Sequence, residues 1–366
     1  MKRFLLFIIA LISISCSQKS ANQNTKEINV GDGREFEAIQ DRISDVRYLP
    51  LETNDNCLFA NAEKVLFRDG MIYVGDYANS SIHVFDSDGS HKLTLKAQGR
   101  GPGEYFAVNS FTVDREFIDV LDLVQLKMHR YDRITGQFAE SRDLPVYAFD
   151  VEALDNGDFI FCYVPLYGAG TPIQQTSHRV FITDSELNVK DRMIEYSENK
   201  FDLIGAQRYF SVSDDRIALF CFQDDGYVVF DKRDGRIIET VHLDFSNPIP
   251  ENARYDQSAL ASGYSFIVAS PFLCGTYASF MARIGDGGGI FEYDHATGIL
   301  LSNAEQKPGS FLLNLVGSHD GAFVSLLANG SSYYDALLEK GFQKADPASE
   351  TAIRRNDPVL VFFQMK

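Results

Sequence analysis

Phe85-Asp86-Ser87-Asp88-Gly89 closes one apolar run and opens the next, and the same signature returns three times. It reappears as Tyr131-Asp132-Arg133-Ile134-Thr135-Gly136, Phe230-Asp231-Lys232-Arg233-Asp234-Gly235 and Tyr293-Asp294-His295-Ala296-Thr297-Gly298. In each, an aromatic residue ends a strand-like run. The Asp carboxylate is placed to accept from backbone N–H groups two or three residues on, and Gly suits the positive-φ position that reverses the chain. Asp184-Ser185-Glu186-Leu187-Asn188 is a weaker fifth copy, with Thr183 in the aromatic position and Asn188 expected to take positive φ. The closing residues 89, 136, 188, 235 and 298 lie 47, 52, 47 and 63 residues apart. That period is too long for a hairpin and suits a four-stranded blade.

Each turn is preceded by a second apolar run: Met71-Ile72-Tyr73-Val74, Phe117-Ile118-Asp119-Val120-Leu121, Phe159-Ile160-Phe161, Ile217-Ala218-Leu219-Phe220 and Ala278-Ser279-Phe280-Met281. A sixth, Ala322-Phe323-Val324-Ser325-Leu326-Leu327, follows Asp320-Gly321. These runs are apolar on both faces, as a sheet packed between two neighbours requires. Six inner runs against five outer hairpins imply that strands from both chain ends complete the last blade. Asp45-Val46-Arg47-Tyr48-Leu49-Pro50-Leu51 and Pro358-Val359-Leu360-Val361-Phe362-Phe363 are suited to that role. The expected fold is all-β: a six-bladed propeller of four-stranded antiparallel blades, its ring closed by N- and C-terminal strands and its edges hidden. From Ser331 to Arg355 the strand pattern lapses, and a short helix around Asp335–Lys340, ended by Gly341, is expected as a cap on the last blade.

The chain's 366 residues carry 34 Lys+Arg against 51 Asp+Glu, a formal charge of −17. With no basic cluster to break this excess, nucleic acid and anionic lipid surfaces are excluded as partners. Apolar residues make up 45%, and 46 Phe+Tyr with 27 Gly favour strands and turns.

The N-terminus reads as an address. Lys2 and Arg3 precede the apolar stretch Phe4–Ile12, which is too short to span a bilayer. Ser15-Cys16 resembles a bacterial lipobox, although Ser13 stands where Leu is usual; a plain secretory signal cleaved near Ser15 is the other reading. Residues 1–15 are thus expected to be a signal peptide, 16–35 a lipidated Cys16 with a polar flexible tether, and 36–366 the propeller. Removing Lys2 and Arg3 takes the formal charge to −19. Cys162 and Cys221 sit in apolar runs, which favours buried thiols. Without C-x-x-C pairs or ligand spacing among the seven His, a structural zinc site is not expected.

Tyr48-Leu49-Pro50-Leu51-Glu52-Thr53, Gly99-Arg100-Gly101-Pro102-Gly103-Glu104-Tyr105 and Asn356-Asp357-Pro358-Val359-Leu360-Val361-Phe362 carry a more specific likeness. On these stretches the chain resembles the six-bladed β-propeller lipoproteins common in Bacteroides and relatives, and its blades resemble NHL repeats. The resemblance implies the fold and an envelope location, without an established reaction.

In a propeller, the turns between second and third strands share a face with the crossings between blades, and that face usually carries binding. The Asp-to-Gly turns fall on the opposite face and are read as structural. The binding face then gathers Asp76 and Asn79, Asp122, the long segment Tyr163–His178 with Tyr163 and Tyr167, Asp225, and Asp286 with its glycines, all expected around the mouth of a central channel. Arg100, Glu104 and Tyr105 belong to the Gly-rich crossing, with Arg100 and Glu104 as a charged pair. That crossing is no phosphate loop, because no Lys-Ser or Lys-Thr follows it. The favoured reading is a non-catalytic, monomeric binding module for a glycan, a peptide or an envelope protein, touching the membrane only through its lipid and needing no cofactor. The alternative is an NHL-like lyase or lactonase. The lactonase would need a divalent ion held by oxygens such as those of Asp76, Asn79, Asp122, Asp225 and Asp286.

Overall fold

A computed structural model of the chain describes residues 24–30, 39–54, 57–59, 61–163, 177–195, 208–302, 315–327 and 330–366. Six sheets follow one another in order, each running from an inner first strand to an outer fourth. Blade 1 is built from Lys64–Arg68, Met71–Asp76, Ser81–Asp86 and His91–Leu95. Blades 2 and 3 repeat this antiparallel pattern over 110–143 and 150–195. First strands of neighbouring blades touch one another around the axis.

Burial follows position in the blade. The second strands Met71–Asp76 and Phe117–Asp122 are buried at every position but the first, whereas the fourth strand Phe138–Asp143 is exposed or half-buried throughout. An inner strand is covered by two neighbouring blades, which explains why those runs are apolar on both faces. The repeated Asp residues do the local work expected of them. Asp86, Asp132, Asp184, Asp231 and Asp294 each accept a backbone N–H within their own turn, Thr135 N to Asp132 Oδ1 at 2.7 Å for example. Gly89, Gly136, Gly235 and Gly298 have positive φ, but in the fifth turn it is Leu187, not Asn188, that does so. That turn is of the shorter kind, with the left-handed residue three after Asp as in Asp86 to Gly89, and the Leu187 side chain is buried there.

The ring closes as expected. Blade 6 is ordered Leu315–His319, Ala322–Leu327, Val359–Met365 and, outermost, Ile43–Pro50 from the other end of the chain. Tyr48 pairs with Val361 and Leu49 with Leu360 in antiparallel register. Pro50, which lacks an N–H, stands at the end of this outer edge strand, where none is required.

Three features differ from the expectation or add to it. Thr25–Asn29, assigned to the flexible tether, is a strand that pairs in parallel with Ile237–Asp244, giving blade 4 a fifth strand. It docks because Ile28 and Val30 bury against the blade, and Lys26 Nζ meets Glu239 Oε1 at 2.6 Å. The inner edge of blade 5 is broken into Phe266–Ile267 and Phe272–Cys274, both paired with Tyr277–Ile284. The expected cap is a helix pair, Ser331–Glu339 and Pro347–Arg354, in the second-to-third-strand connection of blade 6. Asp346 caps the second helix by accepting from Ala348 and Ser349 N–H, with Pro347 at its first position. Tyr334 anchors the first, edge-on to Tyr48 at 5.4 Å. Cys57, Cys162, Cys221 and Cys274 are buried free thiols.

Candidate functional site

The Gly-rich crossing between blades 1 and 2 is held from within. Glu104 Oε2 folds back to accept Gly101 N–H at 2.6 Å, and a Cβ on Gly99 would lie 1.9 Å from that oxygen, so the carboxylate lies where only glycine leaves room. Arg100 does not pair with Glu104 as expected; its guanidinium lies over the Phe106 ring, 5.2 Å from the centroid. The expected pair fails because the shorter route for Glu104 is to its own loop's N–H. Tyr105 is fully buried: its hydroxyl donates to Ser80 O at 2.9 Å and accepts from Ala97 N–H at 3.1 Å. Burial pushes this phenol up to about 12. Tyr105 is therefore a tie between the crossing and blade 1.

Two of the face-lining aspartates, Asp76 and Asp122, serve their own turns. Asp76 is fully buried and accepts from Asn79 N and Nδ2, while Asn79 is exposed. Asp122, also fully buried, accepts from Val124 and Gln125 N–H and reaches Phe106 N–H at 2.5 Å. Asp225 is ion-paired to Arg254. Asp286 is exposed on the hairpin of blade 5. The oxygen cluster that a lactonase ion would need does not form among the described residues, where metal-ligating atoms gather only at Cys57, His83 and His91 and at Asp214, His319 and Asp320. Local turn geometry has taken Asp76 and Asp122, and Arg254 has taken Asp225. Tyr163 is buried against Phe149; Tyr167 and Cys16 lie outside the described residues.

The channel holds a cluster that no motif announced. Lys64 from blade 1, Ser110 and Thr112 from blade 2, and Asp150 and Glu152 from blade 3 are all on first strands and all buried. Lys64 Nζ lies 3.0 Å from Asp150 Oδ1, 2.5 Å from Glu152 Oε1 and 3.2 Å from Ser110 Oγ. Asp150 Oδ2 also accepts from Tyr209 and Phe210 N–H, which extends the network to blade 4. Burial pushes the Asp150 carboxyl up, but Lys64, Ser110 and Phe210 outweigh it and hold Asp150 below the usual carboxylate range. Burial dominates for Glu152, which is raised. The one available signal was the alternation Phe149-Asp150-Val151-Glu152, which puts both acids on one side of a strand. With its side chains supplied by three blades, the cluster is a buried polar plug.

The face that carries the second-to-third-strand turns opens into a groove of about 680 Å³. It is lined by the second-to-third-strand turn of blade 4 (Asp224, Asp225), by blade 3 (Arg179, Glu195) and by the crossing to blade 5 (Glu251, Arg254, Tyr255). Arg254 fixes that crossing, donating to Phe222 O at 3.2 Å, Gln223 O at 3.1 Å and the Asp225 carboxylate. Among the residues singled out from sequence, Asp225 lines it with its neighbours Gln223 and Asp224. The crossing residues were missed because charged side chains on an irregular segment carry no periodicity.

The comparisons agree with this architecture. No curated protein matches the sequence. A solved structure of a Bacteroides fragilis protein, described as exported, aligns with a TM-score of 0.72 at 18% identity, over 93% of this chain and 100% of its own. A DUF4221 member from Bacteroides vulgatus aligns at 0.49 and 10% identity, over 88% of this chain and 97% of its own. At 18% identity the likeness to the first concerns the fold alone. The family pattern described as a 6-bladed beta-propeller matches residues 17–265, and with more than half of the sequence so covered the chain belongs to the DUF5128 family.

Proposed function

We propose that this protein is an exported, lipid-anchored envelope protein whose propeller binds a peptide segment without catalysis, in the groove beside blades 3 and 4. The observation that carries this reading is the groove's lining. Arg179 and Arg254 face a site shared with Glu195, Asp224 and Glu251, so both charge signs are present, and Tyr255 adds one aromatic face. A chain bearing charges of both signs complements such a surface, whereas a glycan would find no Trp platform. The apolar stretch after Lys2 and Arg3, ending at Ser15-Cys16, supports export with lipid on Cys16.

Isothermal titration of the mature chain against mixed-charge peptides and neutral oligosaccharides tests the reading. Peptide binding that weakens about tenfold or more in Glu251→Gln and Tyr255→Ala, with unfolding midpoints unchanged, is the expected result. Oligosaccharide binding instead, or peptide binding indifferent to both substitutions, would refute it. For the anchor, Cys16→Ala should release the protein from the membrane fraction; retention would contradict lipidation at that residue.

A further inference from the structure

Cys57, His83 and His91 come from three separate stretches of chain, and their donor atoms all lie within 4.8 Å of one another. Cys57 lies in the connection from the ring-closing strand to blade 1, His83 on the third strand of blade 1 and His91 at the start of its fourth. Cys57 and His83 are buried and His91 is half-buried, so access is from the outer edge of the blade. We infer that these three side chains form a binding site for a transition-metal ion of the zinc class, which would staple the ring-closing connection to blade 1.

The donor set argues for this class of ion. One thiol and two imidazoles are borderline-soft ligands suited to zinc or copper and poor for calcium or magnesium. Their surroundings resemble the outer shell of a ligand set. Ser81 Oγ lies 3.1 Å from His83 Nε2 and fixes the ring, leaving Nδ1 turned toward Thr94 Oγ1 at 3.0 Å. His91 Nε2 meets the same Thr94 oxygen at 2.9 Å, so the two inward nitrogens converge on one point. Phe59 covers His83 at 5.5 Å and Phe85 covers His91 at 5.8 Å, which restricts water. The Glu52 carboxylate accepts the backbone N–H of His91 at 2.9 Å and so holds the start of that strand in place, leaving a fourth ligand position for water. Tetrahedral zinc needs donor atoms roughly 3.5 Å apart, so side-chain rotations of about 1 Å would close the site. On binding, Cys57 gives up its thiol proton to solvent and the imidazoles exchange Thr94 for the ion.

Asp214, His319 and Asp320 also gather, at the first-to-second-strand turns of blades 4 and 6, but are a weaker candidate. His319 Nδ1 is already paired to Asp214 at 3.0 Å, and both carboxylates are exposed to water.

The test titrates Zn(II) and Co(II) into the metal-stripped mature chain. One ion per chain, a thiolate-to-Co(II) charge-transfer band and a raised unfolding temperature are expected. Cys57→Ser should abolish the band, and His91→Gln should weaken binding about tenfold or more. Cys221→Ser, in a buried site elsewhere, should change neither. Circular dichroism without metal checks that each variant is folded; if Cys57→Ser is not, His91→Gln at the half-buried ring decides. Absence of the band in the wild type, an undiminished band in Cys57→Ser, undiminished affinity in His91→Gln, or binding lost in Asp214→Asn would overturn the inference.

Discussion

Lys64 and Asp150 lie 86 positions apart in the chain, yet Nζ and Oδ1 are 3.0 Å apart in the channel, with both side chains 2% exposed. Lys64 is the only cation bonded to Asp150 and Glu152 among the described residues, so its removal takes the ion-pair partner from two buried carboxylates. Lys64→Met is expected to destabilise the fold by about 3–5 kcal/mol at neutral pH, read from urea unfolding. Because Asp150 is held below its ordinary value, its contribution is complete above the unfolded-state pKa and is lost as pH falls through the folded one. Wild-type stability should therefore fall in acid more steeply than that of Asp150→Asn.

Glu292, on the third strand of blade 5, shows the opposite sign. Burial pushes its carboxyl up to about 8, with Ser279 at 3.5 Å as its modest counterweight. The folded state holds a proton that the unfolded state has released, so stability declines from about pH 4.3 up to about 8 and then levels off. Glu292→Gln should remove that decline. Unfolding temperatures of the two proteins, compared from pH 5 to 9, should diverge as pH rises; parallel curves would contradict the assignment.

Gly89 joins turn chemistry to ring closure. Its φ is +86°, and an added Cβ would stand 2.1 Å from Pro50 O on the closing strand. Its carbonyl accepts Glu52 N–H at 2.8 Å. Gly89→Ala should cost about 2 kcal/mol or more through backbone strain and displacement of that strand. Gly70, with φ +73° and open space around it, is the control, and its Ala variant should cost less.

The N-terminal strand gives a fourth expectation. A chain beginning at residue 31 lacks Ile28, Val30 and the Lys26–Glu239 pair, and exposes the outer edge of blade 4. It should unfold at a lower temperature and associate more at high concentration, as light scattering would show. A chain beginning at residue 24 should do neither.

Much of the ring was readable because its information is local. An Asp that caps its own turn and a Gly three or four positions on act within a few residues, so Asp86-to-Gly89 and Asp132-to-Gly136 announce their hairpins in any context. The closing strands at 45–51 and 358–363 were visible from their apolar runs and from the mismatch between inner and outer strands. Leu187 escaped this logic, since its burial, a tertiary effect, offsets the usual aversion of Leu for positive φ.

The site residues belong to the other kind. Asp76 and Asp122 looked like face-lining ligands, but their depth and their turn N–H partners became apparent only once the blades were packed. Lys64 with Asp150, and Cys57 with His83 and His91, carry no spacing signature, because strand order and ring closure, not sequence distance, bring them together. Turn chemistry and hydrophobic period thus specify blades and their number. Which side chains meet depends on the radial position of each strand, a property of the closed ring as a whole.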